Sequence, residues 1–245
     1  MKTVGIIPAR YASTRFPGKP LVLINDKPMI QHVYEQACKS RLLSKVVVAT
    51  DHEAIFAAVR SFGGEVVLTS PHHQSGTDRC FEAFQKLSGD YGSVINIQGD
   101  EPFIDPEQID SLASLLQSAK ANIATLARRI DNLDDLLNPN IVKVVMDSHS
   151  KALYFSRYPI PFQRNTDKDH WLAQTAYYKH LGIYGYDVAT LAIISRYGQT
   201  MLETAESLEQ LRWLENGHAI HVALTEKEGH SIDTPDDLKK LMNKS

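Results

Sequence analysis

Thr3-Val4-Gly5-Ile6-Ile7-Pro8-Ala9-Arg10-Tyr11-Ala12-Ser13-Thr14-Arg15-Phe16-Pro17-Gly18-Lys19-Pro20 opens the chain with an apolar run that breaks into a loop. Thr3 to Ile7 reads as a buried strand. Pro8, Pro17, Gly18 and Pro20 forbid a helix after it, because proline lacks the donor a helix needs and glycine costs backbone entropy. Arg10, Arg15 and Lys19 therefore lie in an irregular segment directly after a first strand. Open α/β sheets bind ligands beyond the carboxyl ends of their strands, so these cations point to a polyanion-binding loop rather than a solvated basic one. Two guanidiniums grip phosphate oxygens bidentately, and a lysine places a compact charge. A Walker loop is a poor match, since Pro20 stands where it needs Ser or Thr and Ser13 where it needs its first glycine. No GxGxxG follows the strand, which disfavours a nicotinamide-dinucleotide oxidoreductase.

The alternation of strand and helix continues. Val46 to Thr50 reads as a strand. Thr50 or Asp51 is the expected cap of a helix reaching about Phe62, with Glu53 completing a capping box and Gly63-Gly64 as the stop. Glu65 to Leu68 and Ser93 to Ile97 read as further strands, and Thr77 to Leu87 and Pro106 to Ala119 as helices. The strands lack clean polar–apolar alternation, as expected when helices cover both faces. An α/β fold with a mostly parallel central sheet follows. Residues 142–162 and 177–187 are β-prone and rich in tyrosine, and flank a polar segment, 163–170, predicted to be a mobile loop. An insertion of roughly 142–187 is expected to add strands, a lid or a subunit interface. Tyr154, Tyr158 and Phe162, with apolar bodies, suggest a dimer contact. Leu208, Leu211 and Leu214 have helical spacing up to Gly217. Ala219 to Leu224 reads as a strand, and Thr234-Pro235-Asp236-Asp237 as a helix start. No linker or internal repeat interrupts 1–245, so a single domain is expected.

The totals narrow the class. A net charge of −3 over 245 residues gives no polybasic signal for nucleic acid or an anionic membrane. Cys38 and Cys80 stand apart without CxxC spacing, which suggests reduced thiols in a cytoplasmic protein. The first residues lack a signal-peptide pattern, and no apolar run nears the roughly 20 residues of a membrane span.

Three other segments carry candidate chemistry. In Gln98-Gly99-Asp100-Glu101-Pro102, a carboxylate at a strand's end suits magnesium, which needs only one or two when phosphates and water supply the rest; capping the next helix is the alternative. In His73-Gln74-Ser75-Gly76-Thr77-Asp78-Arg79, Ser75 or Thr77 can cap a helix, or the hydroxyl, amide and guanidinium groups can read a base edge. Asp233 precedes a helix, either as a second metal carboxylate or as a charge favouring the helix's positive end.

The opening Ile6 to Leu21 closely resembles that of the 3-deoxy-manno-octulosonate cytidylyltransferase family. So do Ala49-Thr50-Asp51, His73 to Thr77, Gln98 to Pro102, Asn138-Pro139-Asn140 with Val142 to Val145, Tyr154 to Arg157, His180 to Tyr186, Leu208 to Arg212 and Asp233-Thr234-Pro235. These blocks stand in family order across nearly the whole chain. The resemblance implies a Rossmann-like nucleotidyltransferase fold with a smaller β-rich insertion for sugar binding and dimerisation. It implies a cytoplasmic homodimer that makes CMP-Kdo and pyrophosphate from CTP and 3-deoxy-manno-octulosonate (Kdo), or its 8-amino analogue, with Mg2+, for lipopolysaccharide synthesis. Carried over by motif, Arg10, Arg15 and Lys19 hold the CTP phosphates and, with Asp100, form the catalytic set. Ser75, Thr77 and Arg79 contact cytidine. Asp100 and Asp233 ligate magnesium. Gln98, Arg157, His180, Tyr184, Glu209 and Gln210 surround the eight-carbon keto sugar acid.

Overall fold

The apolar runs become the strands of one sheet. The computed structural model describes residues 1–12, 16–118, 121–229, 231–232 and 234–242. Its first half contains β1 (Lys2–Ala9), a hairpin of β2 (Leu23–Ile24) and β3 (Lys27–Pro28), α1 (Met29–Ala37), β4 (Leu43–Thr50), α2 (Glu53–Ser61), β5 (Val66–Leu68), α3 (Gly76–Gln85), β6 (Tyr91–Asn96) and α4 (Pro106–Gln117). Its second half contains β7 (Ile123–Arg129), α5 (Leu133–Leu137), β8 (Lys143–Met146), β9 (Ala152–Ser156), α6 (Trp171–Gln174), β10 (Tyr178–Asp187), α7 (Val188–Ile194), α8 (Met201–Glu206), α9 (Gln210–Glu215), β11 (Ile220–Leu224) and α10 (Pro235–Met242).

The main sheet runs β11-β7-β10-β6-β1-β4-β5. β1 pairs in parallel with β4 and β6, β5 with β4, and β11 with β7. β10 is inserted antiparallel between β6 and β7. The sheet is therefore mostly parallel, as the unbroken apolar runs predicted. Both faces are buried: in β4, Val47 and Ala49 join one core with Ile6, Tyr186 and Trp213, while Val46 and Val48 join the other with Ile7, Ile95 and Leu126. Each such aliphatic side chain contributes about 1.5–3 kcal/mol when fully buried. Within 142–187, the hairpin β8–β9 lies off the main path, attached through β10, whereas β10 itself joins the sheet. Residues 163–170 hold no strand and end in a 3-10 turn, Lys168–His170.

Several boundaries differ from expectation for physical reasons. Pro8 remains inside β1, paired with Ala49 of β4; the ladder to β6 ends at Ile6–Asn96, so no partner there needs its missing donor. Lys19–Leu21 forms one 3-10 turn with Pro20 inside it, which a single turn tolerates. The cap of α2 is His52, accepting from the Ala54 amide, not Thr50 or Asp51. Thr50 is occupied by the His52 amide, and Asp51 by Arg79. Leu208 falls outside α9: Ser207, with φ of 53°, ends α8 in the left-handed region and breaks the helical spacing. Gly217, with φ of 80°, does stop α9, since a Cβ is strained there.

Lys143 of β8 is fully buried, yet its ammonium is satisfied. It donates to the carbonyls of Asn138 (2.7 Å), Ile141 (2.7 Å) and Arg157 (2.9 Å), clipping the 138–141 turn to the end of β9. Burial, followed by the charge of Arg157, pushes its pKa down to about 8. Replacing it by methionine keeps the apolar stem but removes all three bonds, leaving the Asn138 carbonyl only the Ile141 amide. Lys143→Met is expected to cost about 2–4 kcal/mol of stability, read from urea unfolding, and a midpoint equal to that of the wild type contradicts the clip.

Candidate active site

The site is assembled where β1 and β6 end. After Ala9 the chain leaves the sheet at Arg10 and returns through a turn in which the Gly18 amide donates to the Tyr11 carbonyl (3.0 Å). Gly18, with φ of 69°, supplies the left-handed residue that the turn requires. The ring of Tyr11 stacks on His52 with centroids 4.0 Å apart, fastening this loop to the start of α2. Beside it, Gly99 passes so near β1 that a Cβ would stand 2.9 Å from the Pro8 carbonyl oxygen. Only glycine admits this approach, and it brings Asp100 to the cationic loop. Lys19 Nζ lies 2.8 Å from Asp100 Oδ2.

A cavity of about 310 Å³ opens here, lined by Arg10, Lys19, Ser75, Arg79, Gln98 and Asp100 among others. Six residues spread over ninety positions of sequence thus line one cavity. Arg15 and Asp233 lie outside the described residues. The amide of Ile232 donates to the Asp100 carbonyl (2.9 Å). Next to Asp100, Glu101 is pushed up to about 7 by burial and then by the charge of Asp100. The Glu101 carboxyl therefore carries less than a full charge near neutral pH.

The start of α3 forms the opposite wall. Ser75 caps the helix, accepting from the Asp78 amide (3.1 Å). Arg79 is buried, and its guanidinium is held by Asp51 Oδ2 (2.8 Å), Thr69 Oγ1 (2.6 Å) and the Ser70 carbonyl (3.4 Å). Thr77 donates to Glu209 Oε2 (3.1 Å) and lies 3.4 Å from the Tyr186 hydroxyl. Burial raises the pKa of Glu209, and the Ser75 and Thr77 hydroxyls oppose that rise. Thr77, Glu209 and Tyr186 thus form a layer behind the cavity wall.

A second cavity, about 570 Å³, borders the amino end of β10 and includes Glu101, Lys179, His180 and Gly182. Gln98 joins the two, donating to the Gly182 carbonyl (2.9 Å) from the first cavity's wall. His180 Nε2 is 3.0 Å from Thr125 Oγ1, and its ring lies perpendicular to that of Phe155 and tilted to that of Tyr184. Burial drives the His180 pKa down to about 3, so the ring is neutral at ordinary pH. Burial also raises the Tyr184 hydroxyl well above its usual value. The structure does not bring Arg157 to either cavity. Its guanidinium donates to the carbonyls of Glu206 (2.7 Å), Pro139 (3.1 Å) and Ser207 (3.3 Å), and it lines a separate groove with Tyr158 and Trp171. Gln210 is buried in the first turn of α9, outside both cavities. Sequence reasoning missed Asp51 and Thr69, which orient Arg79, and the Tyr11–His52 stack. Their only signal is position at strand ends.

The comparisons with known proteins agree with this geometry. A family model described as cytidylyltransferase matches residues 4–224. The chain is 52% identical to the 3-deoxy-manno-octulosonate cytidylyltransferase of Parabacteroides distasonis, covering 99% of this chain and 97% of that protein. It is 53% identical to the protein of the same name from Phocaeicola vulgatus, over 98% and 96% of the two chains. A solved structure of CMP:2-keto-3-deoxy-manno-octonic acid synthetase complexed with CTP superposes with a TM-score of 0.91 at 41% identity, covering 99% of this chain and 98% of the other. With a cationic loop, a strand-end carboxylate and a capped helix around one cavity, and with relatives matched at this level from end to end, the chain belongs to the cytidylyltransferase family, among the 3-deoxy-manno-octulosonate cytidylyltransferases.

Proposed function

We propose that this protein joins CTP to Kdo, giving CMP-Kdo and pyrophosphate, and so activates the sugar for lipopolysaccharide synthesis. The observation that carries the reading is the shared cavity of Arg10, Lys19, Ser75, Gln98 and Asp100, in a chain matched from end to end by relatives of that name. The cytidine triphosphate takes the first cavity and the sugar acid the second, with Gln98 between them. Arg10, Arg15 and Lys19 hold the triphosphate; Ser75 and Arg79, which line that cavity, receive the cytidine, and Thr77 braces the wall from behind.

The anomeric hydroxyl of Kdo attacks the α-phosphorus. The bond from that phosphorus to the bridging oxygen breaks, pyrophosphate leaves and the hydroxyl proton is released. Two anions must approach, because Kdo carries a carboxylate. Arg10 and Lys19 offset that repulsion and stabilise charge on the phosphate oxygens, in fixed positions that need no reorganisation. Asp100 presents a hard carboxylate oxygen on the same wall, a donor suited to magnesium in company with phosphate and water oxygens. Asp100 and Asp233 would hold that ion, which when bound polarises the phosphate oxygens as a Lewis acid. Neutral His180 offers the sugar a hydrogen-bonding wall without exchanging protons. Tyr158 and Phe162, 64% and 66% exposed, form the apolar ground for a homodimer contact, while Tyr154 packs against the core. Both cysteines are free, which suits a cytoplasmic location. Among the described residues, no helix is long and apolar enough to cross a membrane.

Incubation with CTP, Mg2+ and Kdo, or its 8-amino analogue, should give a CMP-linked product by mass spectrometry and release pyrophosphate. CTP left intact with both sugars overturns the reading. Lys19→Ala is expected to lower kcat by about 10²–10³-fold, the scale of losing one fixed charge donor, and a change under about threefold in steady-state kinetics removes that role. His180 gives a third test. Its folded pKa lies below the ordinary 6.5, so as pH falls below that value the unfolded chain takes up a proton that the folded ring refuses. Wild-type stability should therefore drop between about pH 7 and pH 5 more steeply than that of His180→Gln. Parallel curves in urea titrations contradict a neutral buried ring.

A further inference from the structure

Arg79 and Glu82 of α3 and Lys86 at its C-cap, at helical spacing, hold the segment that runs from β5 into that helix. Arg79 grips Thr69 and the Ser70 carbonyl. Glu82 Oε2 accepts from the Ser70 amide (2.9 Å). Lys86 reaches both Glu82 Oε1 (2.7 Å) and the Leu68 carbonyl (2.7 Å). The same Oε2 of Glu82 also meets Nε2 of His73, whose side chain borders the first cavity alongside Arg10, Lys19 and Ser75. The Glu82 carboxyl is held down at about 2: burial works against it, but Lys86, the Ser70 amide and His73 outweigh burial. It is thus a charged acceptor at any working pH. An imidazole nitrogen facing such an oxygen carries the proton, which leaves Nδ1 as the ring's remaining hydrogen-bonding atom.

The segment needs no further strut. The Arg79, Lys86 and Ser70 bonds already fix it, and Ser75 fixes its end as the α3 cap. What distinguishes His73 is its place on the cavity wall. We propose that His73 contacts CTP through Nδ1, and that Glu82 is a positioning residue that locks the ring with its proton on Nε2. This rests on the reading of the first cavity as the CTP site.

Calorimetric titration with CTP, using the intact protein, tests it. Gln at 73 keeps an amide N–H to donate to Glu82 but carries no group where Nδ1 stood. His73→Gln is expected to raise the CTP Kd by about tenfold, the scale of one hydrogen bond, with Tm within about 2 °C of the wild type. Binding within about twofold of the wild type overturns the contact. In Glu82→Ala, the imidazole 15N resonances of His73 should move from the Nε2-protonated pattern towards a tautomer mixture; unchanged resonances overturn the positioning role. A wild-type protein that fails to bind CTP overturns the assignment of the cavity along with this contact, whereas tight binding by both wild type and His73→Gln overturns the contact alone.

Discussion

The close approach of the ends of β1 and β6 is the constraint on which the rest of the site depends. A glycine at 99 lets one backbone pass against the Pro8 carbonyl, at a distance no Cβ could accept. That contact sets Asp100 beside Lys19, 81 positions earlier in the chain, at 2.8 Å. The Lys19 ammonium and the Asp100 carboxylate pair with one another at the cavity they both line. Their side chains are 14% and 26% exposed, so the pair is reachable from the cavity. The sheet thus stores the charges of the reaction in a mutually satisfied form.

The two cavities differ in chemistry. The first is framed by fixed cations and the start of α3, a setting for phosphates and a polar base. The second borders the amino end of β10, where His180 is neutral and, behind it, Tyr184 and Tyr186 stack on each other with Trp213 edge-on to both. The antiparallel entry of β10 between β6 and β7 is what places its first residues at the same edge of the sheet as the ends of β1 and β6. A parallel strand would arrive with its carboxyl end there, and His180 would lie at the opposite edge. Topology, as much as side-chain identity, makes the two halves of the site adjacent.

Much of this was legible in the chain because the relevant signals are local. Apolar runs such as Val46 to Thr50 and Ser93 to Ile97 read as strands buried on both faces, and the Pro and Gly residues after Ile7 fixed a loop rather than a helix. The cation spacing and the strand-end Asp100 followed from the same pattern. What escaped depends on contacts distant in sequence. Asp51 reads as a helix cap until Arg79, 28 positions later, claims its carboxylate. Arg157, carried over from a motif, is spent on three backbone carbonyls around α8 and the 139 turn. β7 escaped because its alanines have low strand propensity, and neighbours on both sides decide its state. Ser207 breaks the leucine spacing by a left-handed turn that serine rarely announces.

The central claim is that one cavity, built at the ends of β1 and β6, receives the triphosphate. A crystal structure of the protein with CTP in the absence of sugar tests it most directly. The account predicts phosphate oxygens within hydrogen-bond distance of Lys19 Nζ and the Arg10 guanidinium, with the base against Ser75. CTP seated between Glu101 and Lys179, with Lys19 still closed on Asp100, would contradict it.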